Sequence, residues 1–259
     1  DLPADWDSNK TLLISALPFA VTLGILPYVT KLEKFLLAGL ASYDDVSLYH
    51  VAQLAWIAGL MLPQAMRAAL LPYLGEVRDE PEEFGNRMLV AHHWTVVLLP
   101  IGLIAGHLIV SFSIPQFFDK NYADAVEVFD ILLAGWAMTL LAIPWYVALQ
   151  AGHNPWRFTS LITLVVLSAG LSGWLLIPEY GVMGAAWASV IGCSIMLSFS
   201  KLLCGDEDKL SDGLALFCVA SCYLLSIGSS LALIALLTVI PAKNSIDFLR
   251  SQTGYFQEE

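Results

Sequence analysis

The chain has 259 residues, 58% of them hydrophobic and only 14% charged, with a mean hydropathy of +0.70, which excludes a soluble domain for most of its length. A formal net charge of −11 argues against a nucleic-acid partner, because phosphate backbones are held by basic faces. The acidic residues cluster at Asp1–Asp7, Asp79–Glu83, Asp206–Asp208 and Glu258–Glu259, outside the apolar runs, as solvated loop charge does. The four cysteines, Cys193, Cys204, Cys218 and Cys222, form no CxxC pair, so neither a disulfide framework nor a zinc site is predicted, and no cofactor is implied. Asp1–Lys10 lacks the basic start and cleavage pattern of a signal peptide, and the chain reads as a piece of something longer.

Several runs exceed the roughly 18 apolar residues that suit a membrane-spanning helix, so the predicted fold class is an all-α membrane protein. After the cytoplasmic segment 1–10, a first helix is expected over Thr11–Ala41, bent by Pro18, Gly24 and Pro27 and carrying Lys31, Glu33 and Lys34 past the second proline. Ser42–Val46 is a polar turn with Asp44 and Asp45. The second helix, Ser47–Leu74, carries Gln53, Gln64 and Arg67. An acidic loop leads to a third, Arg87–Ser113, with His92, His93 and His107. Ile114–Asn121 is too short to span and is predicted to lie on the membrane surface. The fourth helix, Tyr122–Gln150, holds Asp124, Glu127 and Asp130; the fifth is Trp156–Ile177 and the sixth Val182–Leu203. Together, residues 11–203 make a six-helix bundle. Residues 204–240 add a loop and a further apolar helix, and 241–259 form a polar tail.

Two features of this layout have direct physical readings. Gly184, Ala188 and Gly192 recur at every fourth position beside Ala185, Ser189 and Cys193. Residues at i and i+4 share a helix face, and small side chains there let two backbones approach closely in lipid, so this ridge is predicted to be a helix–helix contact. Lys10, Arg78, Arg87, Arg157, Lys201 and Lys209 fall on one side of the layout, against Lys31, Lys34 and Lys120 on the other. The positive-inside bias therefore places the N-terminus in the cytoplasm and the Pro178–Gly181 turn outside.

Three stretches, in order, resemble a known family. Leu17-Pro18, then Leu32-Glu33-Lys34, then Val46-Ser47-Leu48-Tyr49 resemble the opening of one lobe in polysaccharide and O-antigen flippases of the multidrug/oligosaccharidyl-lipid/polysaccharide export superfamily. Phe117-Phe118-Asp119-Lys120-Asn121-Tyr122 resembles a segment before a later helix of that lobe, and Ile177-Pro178-Glu179-Tyr180-Gly181-Val182-Met183-Gly184-Ala185-Ala186 its best-marked turn. The resemblance covers Pro18–Ser198. It implies a C-terminal lobe whose N-terminal partner lobe is missing from this chain, a multi-pass place in the cytoplasmic membrane, and a polyprenyl-(pyro)phosphate-linked glycan as cargo.

Ionisable residues inside a membrane cost about 2.5–3.5 kcal/mol on insertion scales and are functional candidates by default. Glu33, Lys34, Arg67 and Asp130 qualify. A lipid-linked glycan needs a cation for its phosphate and polar groups for its hydroxyls. Arg67 suits the phosphate through its forked guanidinium, Lys34 serves as a point charge, and Gln53 and Gln64 lie near one helix face to meet sugars. Asp130 is the candidate for ion coupling. Each has a plainer alternative: Glu33 and Lys34 pairing or snorkelling to the interface, Arg67 in a structural pair with Glu33 or Asp130, Asp130 as a carboxylate near a helix start, and His107 as a satisfied core histidine. No nucleophile–base pair appears, so an enzyme is not expected. The alternatives to a flippase are a drug or cation exporter of the same superfamily, which favours an aromatic and acidic cavity, and a membrane enzyme acting on the same lipid.

Overall fold

A computed structural model of the chain describes residues 6–118, 120–205 and 241–251. The apolar run 214–240 lies outside the described residues. Among the described residues every regular element is helical. Among the described residues four helical stretches, Tyr43–Gly75, Pro81–Phe117, Lys120–Ala151 and Pro155–Cys204, are by length and composition apolar enough to cross a membrane. The protein is an all-α, multi-pass membrane protein, as its composition predicts.

The prolines decide where the helices break. The first predicted helix is α1 (Trp6–Ile25), a 3₁₀ turn (Leu26–Thr30) and α2 (Leu32–Leu40). Pro27 sits at the start of the 3₁₀ turn and lacks the N–H that would continue the α pattern. A membrane offers no water to satisfy carbonyls freed by such breaks, so neighbouring side chains must. Gln53 does this, its Nε2 donating to the Thr30 carbonyl at 2.7 Å.

Asp44 and Asp45 belong to a helix start. α3 (Tyr43–Gly59) opens on a capping box in which Ser42 Oγ accepts from the Asp45 N–H at 3.1 Å and the Asp45 carboxylate accepts from the Ser42 N–H at 3.2 Å. At Leu60, α3 gives way to α4 (Met61–Gly75). Pro63 explains the change: it has no N–H for the Gly59 carbonyl four residues back. The indole of Trp136 takes over, donating to Gly59 O at 2.9 Å.

α5 (Pro81–Phe117) runs on through Pro100 and Pro115. The segment predicted to lie on the surface from Ile114 is therefore the end of α5, followed by a short 3₁₀ turn at Lys120–Tyr122. α6 (Ala125–Ala151) is the axis of the bundle. Over its most apolar window 83% of its stretch is buried, against 17% to 33% in the other three. A helix apolar on all sides has no face to spare for lipid or water and packs at the centre.

α7 (Pro155–Cys204) folds back on itself at Gly181, whose φ of 53° and ψ of −129° are the non-helical values within it. Only glycine adopts that region without strain. The small-residue ridge faces the first arm, as predicted for a contact face. A Cβ on Gly184 would lie 2.4 Å from Leu176 O, Ala188 Cβ is 3.6 Å from the Cβ position of Gly173, and Gly192 faces Ala169 and the Val165 carbonyl. Residues 241–251 form one more helix, where Ser245 Oγ meets His93 Nδ1 at 3.0 Å and Phe248 stacks on the His93 ring at 4.0 Å between centroids.

Candidate functional site

The breaks in the first two predicted helices and the close arms of α7 leave a cavity of about 180 Å³ inside the bundle. Its polar wall carries Glu33, Gln64, Arg67, Thr139, Tyr146 and Ser189. The other lining groups are mostly apolar, among them Trp56, Ile143, Ile162 and Val165.

Glu33 stands at the start of α2, where a carboxylate is favoured by the helix dipole, and is 1% exposed. Ser189, from the ridge of α7, hydrogen-bonds to its carboxyl. The Ser189 hydroxyl also meets Tyr49 Oη at 3.2 Å. The second carboxyl oxygen of Glu33 has no hydrogen-bond partner among the described residues.

Arg67, on α4, donates from Nε to Gln150 Oε1 at 3.0 Å and from Nη1 to Gln64 Oε1 at 3.3 Å. Its guanidinium lies 5.7 Å from the Tyr146 ring centroid, a cation–π distance. A guanidinium has five N–H donors, more than the two acceptors it meets here, so it retains capacity for an oxyanion. The structural pair with Glu33 or Asp130 is not formed.

The remaining candidates lie off this cavity. Lys34 Nζ meets His50 Nδ1 at 2.6 Å on the α2–α3 seam, and it does not line the cavity with Glu33 and Arg67. Gln53 is buried and its amide nitrogen is engaged by Thr30. Asp130 is 2% exposed and accepts from His107 Nδ1 at 2.7 Å, tying α6 to α5. His107 therefore has a partner, as a core histidine requires, and that partner is the proposed coupling carboxylate.

Sequence reasoning passed over Tyr49, Trp56, Thr139, Tyr146 and Ser189. Tyr49 and Ser189 sat inside stretches already singled out, one in the family-like entry to α3 and one in the small-residue ridge. Thr139 and Tyr146 carry no local signal: α6 is apolar on every side, and which of its faces borders a hollow depends on the helices around it.

The fold and the cavity define an all-α, multi-pass membrane protein whose bundle holds a mostly apolar hollow with one cation and one carboxyl on its wall. Over 181 residues, 69% of this chain, the sequence is 25% identical to a Shigella flexneri protein named "Putative O-antigen transporter". The match takes in 42% of that protein, so the chain spans less than half the length of the curated relative it resembles. No family model matches the chain, and no solved structure matches it.

Proposed function

We propose that this chain is one helical bundle of a membrane transporter that flips a lipid-linked oligosaccharide or polysaccharide precursor across the cytoplasmic membrane. The observation that carries the reading is Arg67: a half-buried guanidinium on a membrane-crossing helix, lining a cavity within the bundle, with donors to spare. The resemblance to an O-antigen transporter supports the same cargo class. In this reading Arg67 grips a phosphate of the polyprenyl-(pyro)phosphate carrier and Gln64 and Tyr146 meet neighbouring oxygens. A second, N-terminal lobe outside this chain completes the path, and the two rock about the site in alternating access. The Asp130–His107 pair, buried between α5 and α6, is the ion-coupling element. No covalent step is involved.

The test is Arg67→Ala and Arg67→Lys in the full-length protein, with glycan export as readout. Export lost in the alanine variant and partly kept in the lysine variant is the expected result, since lysine preserves the charge without the fork. Full export in both removes Arg67 from the mechanism.

One observation favours a second reading. The cavity contains Glu33, Trp56 and Tyr146 but not Lys34, and a carboxyl set among aromatic rings suits an organic cation. A cation exporter predicts that Glu33→Gln abolishes export of a lipophilic cation such as ethidium, while leaving glycan export untouched.

A further inference from the structure

A phosphate-headed lipid has two ends, and the cavity beside Arg67, at about 180 Å³, accommodates only one. Hydrocarbon exposed to water is costly in proportion to its area, so a bundle that takes the head must leave the tail an apolar way out. A second hollow meets that need. It is a groove of about 470 Å³ between the α3–α4 break and α5, lined by Ala55, Gly59, Met61, Gly102, Gly106 and Ile109 and floored by Trp136. Trp56 lines both hollows. It is 4% exposed, and its indole N–H has no acceptor among the described residues. A donor without an acceptor thus stands on the wall shared by the hollow that holds Arg67 and Glu33 and the wholly apolar groove.

The groove follows from identifiable residues. Pro63 breaks the helix at Leu60, and Trp136 is pinned beneath the break by its bond to Gly59 O. Gly102 lies so close to that indole that a Cβ would come within 1.9 Å of it, so α5 can approach there only as glycine. One turn on, Gly106 leaves a notch that a larger side chain would fill. On the rim, Met61 is 74% exposed and Ile109 62%, which leaves the groove open to lipid.

We propose that this groove holds the hydrocarbon tail of the same lipid whose phosphate sits by Arg67, with the head–tail junction crossing Trp56. This rests on the reading of the cavity as a phosphate site. Moving a tail from bilayer to groove exchanges one apolar surround for another, so selectivity comes from contact and shape. The measurement must therefore report position.

The experiment uses the full-length protein in nanodiscs of phosphatidylglycerol doped with a long-chain polyprenyl phosphate. A photo-crosslinking p-benzoylphenylalanine replaces Ile109 in the groove or, as control, Leu171, which is comparably exposed at 66% on α7. Capture of polyprenyl phosphate at position 109 is expected to exceed its share of the lipid by about tenfold, a preference of about 1.4 kcal/mol, with no enrichment at position 171. Gly106→Leu fills the notch and meets side-chain ends rather than backbone, Leu133 Cδ1 at 3.1 Å and Phe129 Cζ at 3.8 Å from its Cβ position; it should remove the enrichment. Equal capture at 109 and 171, in an otherwise unaltered protein, overturns the proposal whatever the Gly106 variant does. Enrichment at 109 that survives Gly106→Leu in a folded protein overturns it too. The two readings fail separately. If Arg67→Ala leaves the enrichment at 109 intact, the tail site stands and the phosphate site falls. If a photoreactive polyprenyl phosphate labels the Arg67 cavity without enrichment at 109, the reverse holds.

Discussion

Gly184→Ala isolates the contact that holds the two arms of α7 together. The added Cβ would lie 2.4 Å from the Leu176 carbonyl oxygen, 2.6 Å from its carbon and 2.9 Å from Ile177 N. All three are backbone atoms, so no side chain can rotate out of the way. Restoring an ordinary contact of about 3.4 Å needs the arms to part by about 1 Å at this point, which in a close-packed interior forfeits much of the dispersion along the seam. Overpacking of this kind costs about 1–3 kcal/mol. Against it stands the gain in helix propensity of alanine over glycine, at most about 1 kcal/mol; because the clash is with backbone the overpacking cost lies toward its upper end, and a net loss of up to about 2 kcal/mol is expected. Gly24→Ala is the control, since nothing lies within 4 Å of its Cβ position and only the propensity term remains. Thermal unfolding of the purified full-length protein in detergent should show a lower Tm for Gly184→Ala and an unchanged or higher one for Gly24→Ala. A Gly184→Ala protein at least as stable as its parent would refute the claim that backbone contact is what this glycine permits.

Two more outcomes follow from the buried polar groups. Trp136→Phe should cost about 1–3 kcal/mol by stranding the Gly59 carbonyl; in a Pro63→Ala background, which returns an N–H four residues on, the same change should cost less, and a double-mutant cycle with no coupling would reject the link between proline and indole. Asp130→Asn keeps an acceptor for His107 while deleting the charge, so the fold should survive within about 1 kcal/mol and gradient-driven export should fail. Export at the parental rate would make the pair structural.

Much of the architecture was legible in one dimension. Apolar runs bounded by charged loops are visible because lipid demands uninterrupted hydrophobic length. The Gly184–Ala188–Gly192 ridge is visible because helical periodicity stacks every fourth residue. Arg67 and Glu33 stood out because charge in such a run needs a reason. The shape of the breaks is less legible: nothing local marks Pro63 as the residue that ends α3, and the mixed apolar and charged run from Ile114 predicts a surface segment where α5 continues through Pro115. Local rules say that proline frees a carbonyl, but not whether a neighbour such as Trp136 is placed to take it.

What the sequence by itself determined, then, is the solvent of this protein and its inventory of costly groups. Which of those groups share a site was decided by packing alone. Lys34 and Glu33 are adjacent in the chain, yet successive residues on a helix point about 100° apart, so one reaches His50 and the other the cavity. Arg67 and Glu33 come from different helices and line the same hollow because α6, buried on nearly all sides, holds the broken helices and α7 around it.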